Sequence, residues 1–305
     1  MPTGARWKCS STTYPYRQKM ALTERCQSAS SYISTFPLFI NKGWKKMLRG
    51  KRAVITGGGT GFGQALSVWL AREGVEVDFC ARRADDIQKT CSIITAEGGM
   101  AKGHLCDLTL PESLSQFSSQ LLTLDKPIDI LILNAAQWLS GTLDDQSDTE
   151  IINTISSGLT GSILLTQALL PGLRRSESAD IVSIISSCGI PNFTDSIAHP
   201  AFFASKHGLS GFTTKLSYQL SKENIRVTGL YPPDFELTGL EAFVDSQPKM
   251  GERLMNGRSV WETIRFVLTQ PRNCHIRSIY FEGPTREKLA SEAESATFNS
   301  VANVR

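Results

Sequence analysis

A short apolar run, Ala53–Thr56, leads without a spacer into Thr56-Gly57-Gly58-Gly59-Thr60-Gly61-Phe62-Gly63, and an amphipathic segment follows from Phe62 to Arg72. A strand that turns through glycines directly into a helix admits few folds. Glycine tolerates the positive φ of a tight turn, lets backbone come close to a ligand, and leaves the first amide N–H groups of the helix aimed at whatever fills the turn. Those amides suit an anion, and the strand, turn and helix context points to the diphosphate of a dinucleotide.

From Arg52 onward short apolar strands alternate with helix-length amphipathic segments, the pattern of a parallel sheet covered on both faces. Strands are predicted at Ala53–Thr56, Val75–Ala81, Ala101–Cys106, Ile128–Asn134, Ile181–Ser186, Ile225–Tyr231 and Ile276–Phe281. Helices are predicted at Phe62–Arg72, Asp85–Glu97, Pro111–Leu124, Thr149–Leu173 with a break at Gly158, Phe202–Ser221 and Ser259–Thr269. The fold class is therefore α/β, a three-layer, doubly wound parallel sheet of about seven strands, Rossmann-like, in a single domain over 47–284. Phe235–Gly257 interrupts the alternation after a strand's carboxyl end, where ligands bind in such sheets, and reads as a substrate lid. The polar tail 285–305 is expected to be loose.

Residues 1–46 form a basic leader rich in Ser and Thr, with eight Lys/Arg against the single acid Glu24. The leader shows no sustained periodicity and is expected to be disordered or outside the fold. An organelle transit peptide is one reading of it, a flexible extension before Met47 the other, so the expected location is cytoplasmic unless the leader directs import. The whole chain carries a formal charge of +3, so the body beyond the leader is mildly acidic, which argues against a nucleic-acid surface. No window approaches eighteen apolar residues, which argues against a membrane span. Seven scattered cysteines show no metal-ligand spacing, so no metal is expected; Cys80, Cys106 and Cys188 read as small hydrophobes of a reducing compartment.

The order T-G-x-x-x-G-x-G, then Asp107-Leu108-Thr109, then Phe202-Phe203-Ala204-Ser205-Lys206, then Ile225-Arg226-Val227-Thr228 with Pro233 and Thr238, resembles the short-chain dehydrogenase/reductase family from Met47 to about Pro284. The resemblance implies a nicotinamide dinucleotide held by Thr56, Gly57, Gly59, Thr60, Gly61, Phe62, Gly63, Asp107, Leu108, Asn134, Ala135, Lys206, Pro233 and Thr238. At the tip of the second strand, Phe79-Cys80-Ala81-Arg82-Arg83, no carboxylate waits for an adenosine ribose. Arginine's planar fork suits a 2′-phosphate, so NADP(H) is favoured over NAD(H), with Arg82 the leading contact and Arg83 a second.

The family's carbonyl chemistry, as the resemblance implies, uses a tyrosine, a lysine, a serine and an asparagine. Lys206 stands at the lysine position and Ser186 at the serine position, with Ser187 an adjacent alternative. Phe202 stands where the tyrosine belongs and has no proton to give; Gly158 stands for the asparagine. His199, three residues before Phe202, has suitable proton chemistry and is a candidate substitute acid. The function expected is an NADP(H)-dependent oxidoreductase acting on a small, rather apolar carbonyl, alcohol or enone with an altered proton donor. A nucleotide-binding pseudoenzyme or redox-sensing partner subunit is the alternative, and non-redox lyase or isomerase chemistry a third class. Self-association is implied by the resemblance alone.

Overall fold

Side chains alternate sides along a strand, so the two faces of a buried sheet each need their own set of apolar residues. Strand β1 (Arg52–Thr56) sends Ala53 and Ile55 to one core and Val54 to the other. In the computed structural model, which describes residues 47–236 and 255–283, seven parallel strands form one sheet in the order β3-β2-β1-β4-β5-β6-β7. The others are β2 (Glu76–Ala81), β3 (Met100–Leu105), β4 (Ile130–Leu133), β5 (Asp180–Ile184), β6 (Arg226–Tyr231) and β7 (Ser278–Tyr280).

The first core carries α1 (Gly61–Arg72), α2 (Ala84–Ala96) and α7 (Gly257–Leu268), with Trp69 of α1 stacked on Trp261 of α7 at 5.7 Å. The second carries α3 (Pro111–Leu122), α5 (Gly161–Arg174) and α6 (Pro200–Leu220), through Phe117, Leu169 and Leu216 among others. This is the expected three-layer α/β architecture. The long predicted helix over 149–173 is two helices, α4 (Asp148–Ile155) and α5, joined through a π turn at Ser156–Thr160 that contains Gly158. Strand β5 ends at Ile184 rather than Ser186 because Ser186 leaves the sheet at φ 112°. The leader 1–46, the tail 285–305, Thr238 and most of the anticipated lid lie outside the described residues; Phe235 and Met255, at the two edges of the lid stretch, pair with one another. Among the described residues no helix is long and apolar enough to cross a membrane, and no cluster of metal-ligating side chains occurs.

Two charged groups interrupt the second core. Asp78 of β2 accepts from Arg52 Nε at 2.8 Å and meets His104 Nε2 at 2.9 Å, all three buried. Burial pushes the Asp78 carboxyl up, but the His104 hydrogen bond and the Arg52 guanidinium together outweigh it and hold the carboxyl below the ordinary range. A depressed carboxyl stabilises the fold above its unfolded value and loses that contribution as pH falls through its folded value. Asp78→Asn should therefore cost about 3 kcal/mol in urea unfolding at pH 7, because Arg52 is left buried without its counter-charge. The difference from the parent chain should shrink as pH falls below about 4.

Candidate active site

The carboxyl ends of β1, β2, β3 and β4 open onto a cleft of about 590 Å³. The chain runs outward from β1 to β3 and then returns to the far side of β1, so the crevice lies at the point where strand order reverses, the place where open α/β sheets bind ligands. The glycine turn forms its floor. Gly57 adopts φ 70°, which a side chain would strain, and a β-carbon on Gly63 would overlap the Gly57 carbonyl oxygen. Thr60 precedes α1 in extended conformation, and no side chain caps the helix start, so the cradle is built of backbone alone. The Thr56 hydroxyl accepts from the amides of Asn134 (2.9 Å) and Ala135 (3.0 Å), while Asn134 Nδ2 donates back to Thr56 O at 3.1 Å. Those bonds tie the end of β4 to the glycine turn and explain why β4 stops at Leu133.

Gly57, Gly59, Thr60, Phe62, Gly63, Arg82, Arg83, Asp107, Leu108, Asn134 and Ala135 all line this cleft. Gly61, at φ 53°, belongs to the same turn. The two arginines differ. Arg83 Nε is tied to Asp86 at 2.5 Å, whereas Arg82 has no carboxylate partner among the described residues. Ala81 at the strand tip carries no acid. Asp107 accepts from the Thr109 amide and hydroxyl, which fixes its carboxylate at the rim near Leu108. Sequence reasoning missed Gln137 and Ser157 as lining residues. The Gln137 amide donates to Ser157 Oγ at 3.2 Å, a contact made by the π turn, which no local pattern announces.

The residues expected to be catalytic are not among that cleft's lining, and two of them are placed by the end of β5. Lys206 Nζ donates to Ile184 O at 3.0 Å and lies 5.4 Å from the Phe202 ring centroid. Ile184 precedes Ser186 by two residues, so the Lys206 ammonium is held at the strand end from which Ser186 departs. The Ser187 amide donates to Pro232 O at 2.8 Å and the Cys188 amide to Ser186 Oγ at 3.2 Å, bonds that hold Ser186 at its strained φ. A non-glycine residue in that region costs on the order of 1–3 kcal/mol and persists only where neighbours over-determine it. Pro233 follows β6 nearby, and its ring approaches Gly283. Pro233, Ser186, Lys206 and Phe202 do not line the cleft itself.

Phe202 is buried with Cys188 and Ala198, and Trp138 packs edge-on against it at 4.8 Å. Phe193 and Phe203 stack beside them, so aromatic surface surrounds the position expected of a phenol. A β-carbon on Gly158 would come within 2.5 Å of Ser205 Oγ, so the space beside Gly158 is filled by a small side chain from α6.

His199, expected as a substitute acid, is built into the start of a helix. It is 0% exposed and caps α6: Nδ1 accepts from the Ala201 amide at 3.1 Å, which leaves the ring proton on Nε2, directed at Leu143 O 3.5 Å away. Both ring nitrogens are engaged by backbone groups.

Burial lowers the Lys206 ammonium to about 8, the Cys188 sulfur opposing it slightly. A lysine whose folded value is depressed penalises the fold fully below that value, and the penalty fades as pH rises toward the unfolded lysine range. Lys206→Met should raise the melting temperature at pH 7, and the gain should diminish between pH 8 and about 10.4. A constant gain across that span would mean that the Lys206 ammonium is not depressed in the folded chain.

The sheet order, glycine cradle and crevice together define a Rossmann-type dinucleotide-binding protein. The model of the short chain dehydrogenase family matches residues 51–249, and the chain belongs to that family. It is 28% identical over 192 residues to a fatty acyl-CoA reductase of Acinetobacter baylyi, covering 62% of this chain and 64% of that protein. It is also 28% identical over 202 residues to a 3-dehydrosphinganine reductase of Arabidopsis thaliana, covering 66% of this chain and 60% of the relative. The match thus spans less than two thirds of the length of both. Among solved structures, a metagenomic short-chain oxidoreductase in complex with NADP aligns at TM-score 0.65 and 25% identity, covering 79% of this chain and all of that one.

Proposed function

We propose that this chain is an NADP(H)-dependent oxidoreductase that acts on an apolar carbonyl, alcohol or enone, with a proton donor other than a tyrosine. The observation that carries the cofactor preference is the tip of β2, where Ala81 offers no carboxylate to a ribose and Arg82 is the cleft cation with no acidic partner among the described residues. The backbone cradle of Gly57 to Gly63 fits a diphosphate, the Asp107 rim fits an adenine amino group, and Arg82 fits a 2′-phosphate. Such a cofactor supplies or accepts a hydride.

This chain's own residues would do the rest. The Ser186 hydroxyl, which accepts from the Cys188 amide, still has its proton to donate to a substrate oxygen. The Lys206 ammonium uses one of its three donors on Ile184 O and keeps the others for a ribose hydroxyl or for developing negative charge. Phe202 contributes no proton, so the final proton comes from water, at a cost of roughly 10²–10⁴ in rate against an acid-assisted step. The aromatic surface of Phe202, Trp138 and Phe193 suits an apolar substrate, as do the reductases of acyl and sphingoid compounds named among the relatives.

A nucleotide-binding protein without turnover is the second reading. It is favoured by Phe202 at the tyrosine position and by Ser205 filling the space beside Gly158.

Two measurements decide between these readings. Arg82→Ala should weaken NADPH binding by about 2 kcal/mol, or roughly thirtyfold, and leave NADH nearly unchanged, as read by quenching of cofactor fluorescence. Equal loss for both cofactors would remove Arg82 from 2′-phosphate recognition. Phe202→Tyr should raise NADPH-dependent carbonyl reduction by about 10²-fold or more, since it places a phenol beside Lys206. A folded variant that binds NADPH and gains nothing favours the second reading.

A further inference from the structure

Cys80 and Cys106 are the two cysteines among the residues that line the cleft, and nothing in the chemistry above uses either. Cys80 is in β2 and Cys106 directly follows β3, its neighbour in the sheet; the Cys106 amide donates to Ala81 O at 3.0 Å and so continues the β2–β3 ladder past the last paired strand residues. Both side chains belong to the same core face and are 1% and 2% exposed. Cys80 pairs in register with His104, so Cys106, two residues further along, shares its face of the sheet. The Gly58 amide donates to Cys80 O at 3.0 Å, so the pair lies directly beneath the glycine turn. Asp107, the next residue, forms the rim. Two thiols on one face of neighbouring strands at the floor of a cleft form an arrangement that apolar packing does not require, and that oxidation can close.

We propose that Cys80 and Cys106 form an oxidisable dithiol in the floor of the cleft, which a hydroperoxide converts to a disulfide when no dinucleotide covers it. The two sulfurs have different parts. The Cys80 thiol donates to Cys106, and that bond, with help from the Ser113 hydroxyl and against burial and the Asp107 charge, holds the Cys106 thiol below its ordinary value. The same bond, together with burial, pushes the Cys80 thiol up, with only small opposition from the Gly57 amide. Cys106, directly before the rim residue Asp107, is the attacking sulfur and Cys80, beneath the glycine turn, the resolving one. The Cys106 thiolate attacks one peroxide oxygen, the O–O bond breaks, and hydroxide leaves to take up the thiol's proton as water, giving a sulfenic acid. The Cys80 sulfur then attacks the Cys106 sulfur, the S–O bond breaks, and a second water leaves with the Cys80 proton. Two thiols are oxidised and one hydroperoxide is reduced. The linkage would tie the tips of β2 and β3 together beneath the adenine end of the cleft.

Only the protective effect of a dinucleotide rests on the function proposed above. The full chain is treated with hydrogen peroxide with and without NADP⁺, free thiols are blocked with N-ethylmaleimide, and peptides are mapped by mass. The unliganded protein should yield a Cys80–Cys106 peptide two hydrogens lighter than the separate thiols. NADP⁺ at about ten times its dissociation constant occupies about nine tenths of the molecules and should slow the linkage about tenfold. Cys106→Ser should abolish the linkage with Cys80 recovered as its maleimide adduct, whereas Cys80→Ser should leave Cys106 as a sulfenic acid trapped by dimedone. Failure to find the linked peptide under conditions that oxidise the half-buried Cys91 or Cys274 would overturn the proposal. So would a linkage rate unaffected by NADP⁺ that calorimetry shows to be bound. If calorimetry finds no dinucleotide binding, the cofactor reading fails, and the unliganded linkage alone decides the dithiol.

Discussion

The near-contact between Gly57 and Gly63 is the constraint on which the rest of the site depends. A β-carbon at position 63 would overlap the Gly57 carbonyl oxygen, so the turn can fold back under α1 only because that atom is absent. The return sets the direction of the first helical amides, and the Thr56 hydroxyl locks the end of β4 against the same turn through the amides of Asn134 and Ala135. The crevice at the strand-order reversal is therefore a rigid backbone feature, made before any side chain chooses a ligand. Side chains then add selectivity at its edges: Arg82 at the tip of β2, Asp107 after β3, and Gln137 with Ser157 on the far wall.

The layering was legible because β1 and β4 carry nearly unbroken apolar runs, the composition expected of parallel strands buried on both faces. The glycine turn was legible because its meaning is local. What periodicity could not convey was every feature decided by a distant partner. His199 looks like a loop base in sequence; only the Ala201 amide and the Leu143 carbonyl turn it into a helix cap. Cys80 and Cys106 look like fillers until the parallel pairing of β2 and β3 puts them on one face of neighbouring strands. Arg82 and Arg83 are indistinguishable as neighbours, and Asp86 one turn into α2 separates them.

The end of β5 departs from ease of folding in two ways. Ser186 is held at a backbone angle that costs energy, and Lys206 is kept 4% exposed with a depressed ammonium group. Neither contributes to the apolar cores. Both are anchored by bonds to the last turns of β5 and β6, at Ile184 and Pro232, so stability gained elsewhere in the sheet is spent on a small region facing Phe202 and Trp138. A site assembled only for packing would have filled this corner with another leucine.

The π turn at Ser156–Thr160 brings in a geometric dependence of its own. A π turn accommodates one residue more than an α turn, so each residue added or removed there rotates α4 about its axis relative to α5 by about 100°. Ser157 meets the Gln137 amide, and Gly158 meets Ser205, only at the present phase. The chain's length through these five residues thus works as a spacer setting: exchange of one side chain for another keeps the phase, whereas an insertion or deletion would swing the whole upstream helix out of alignment.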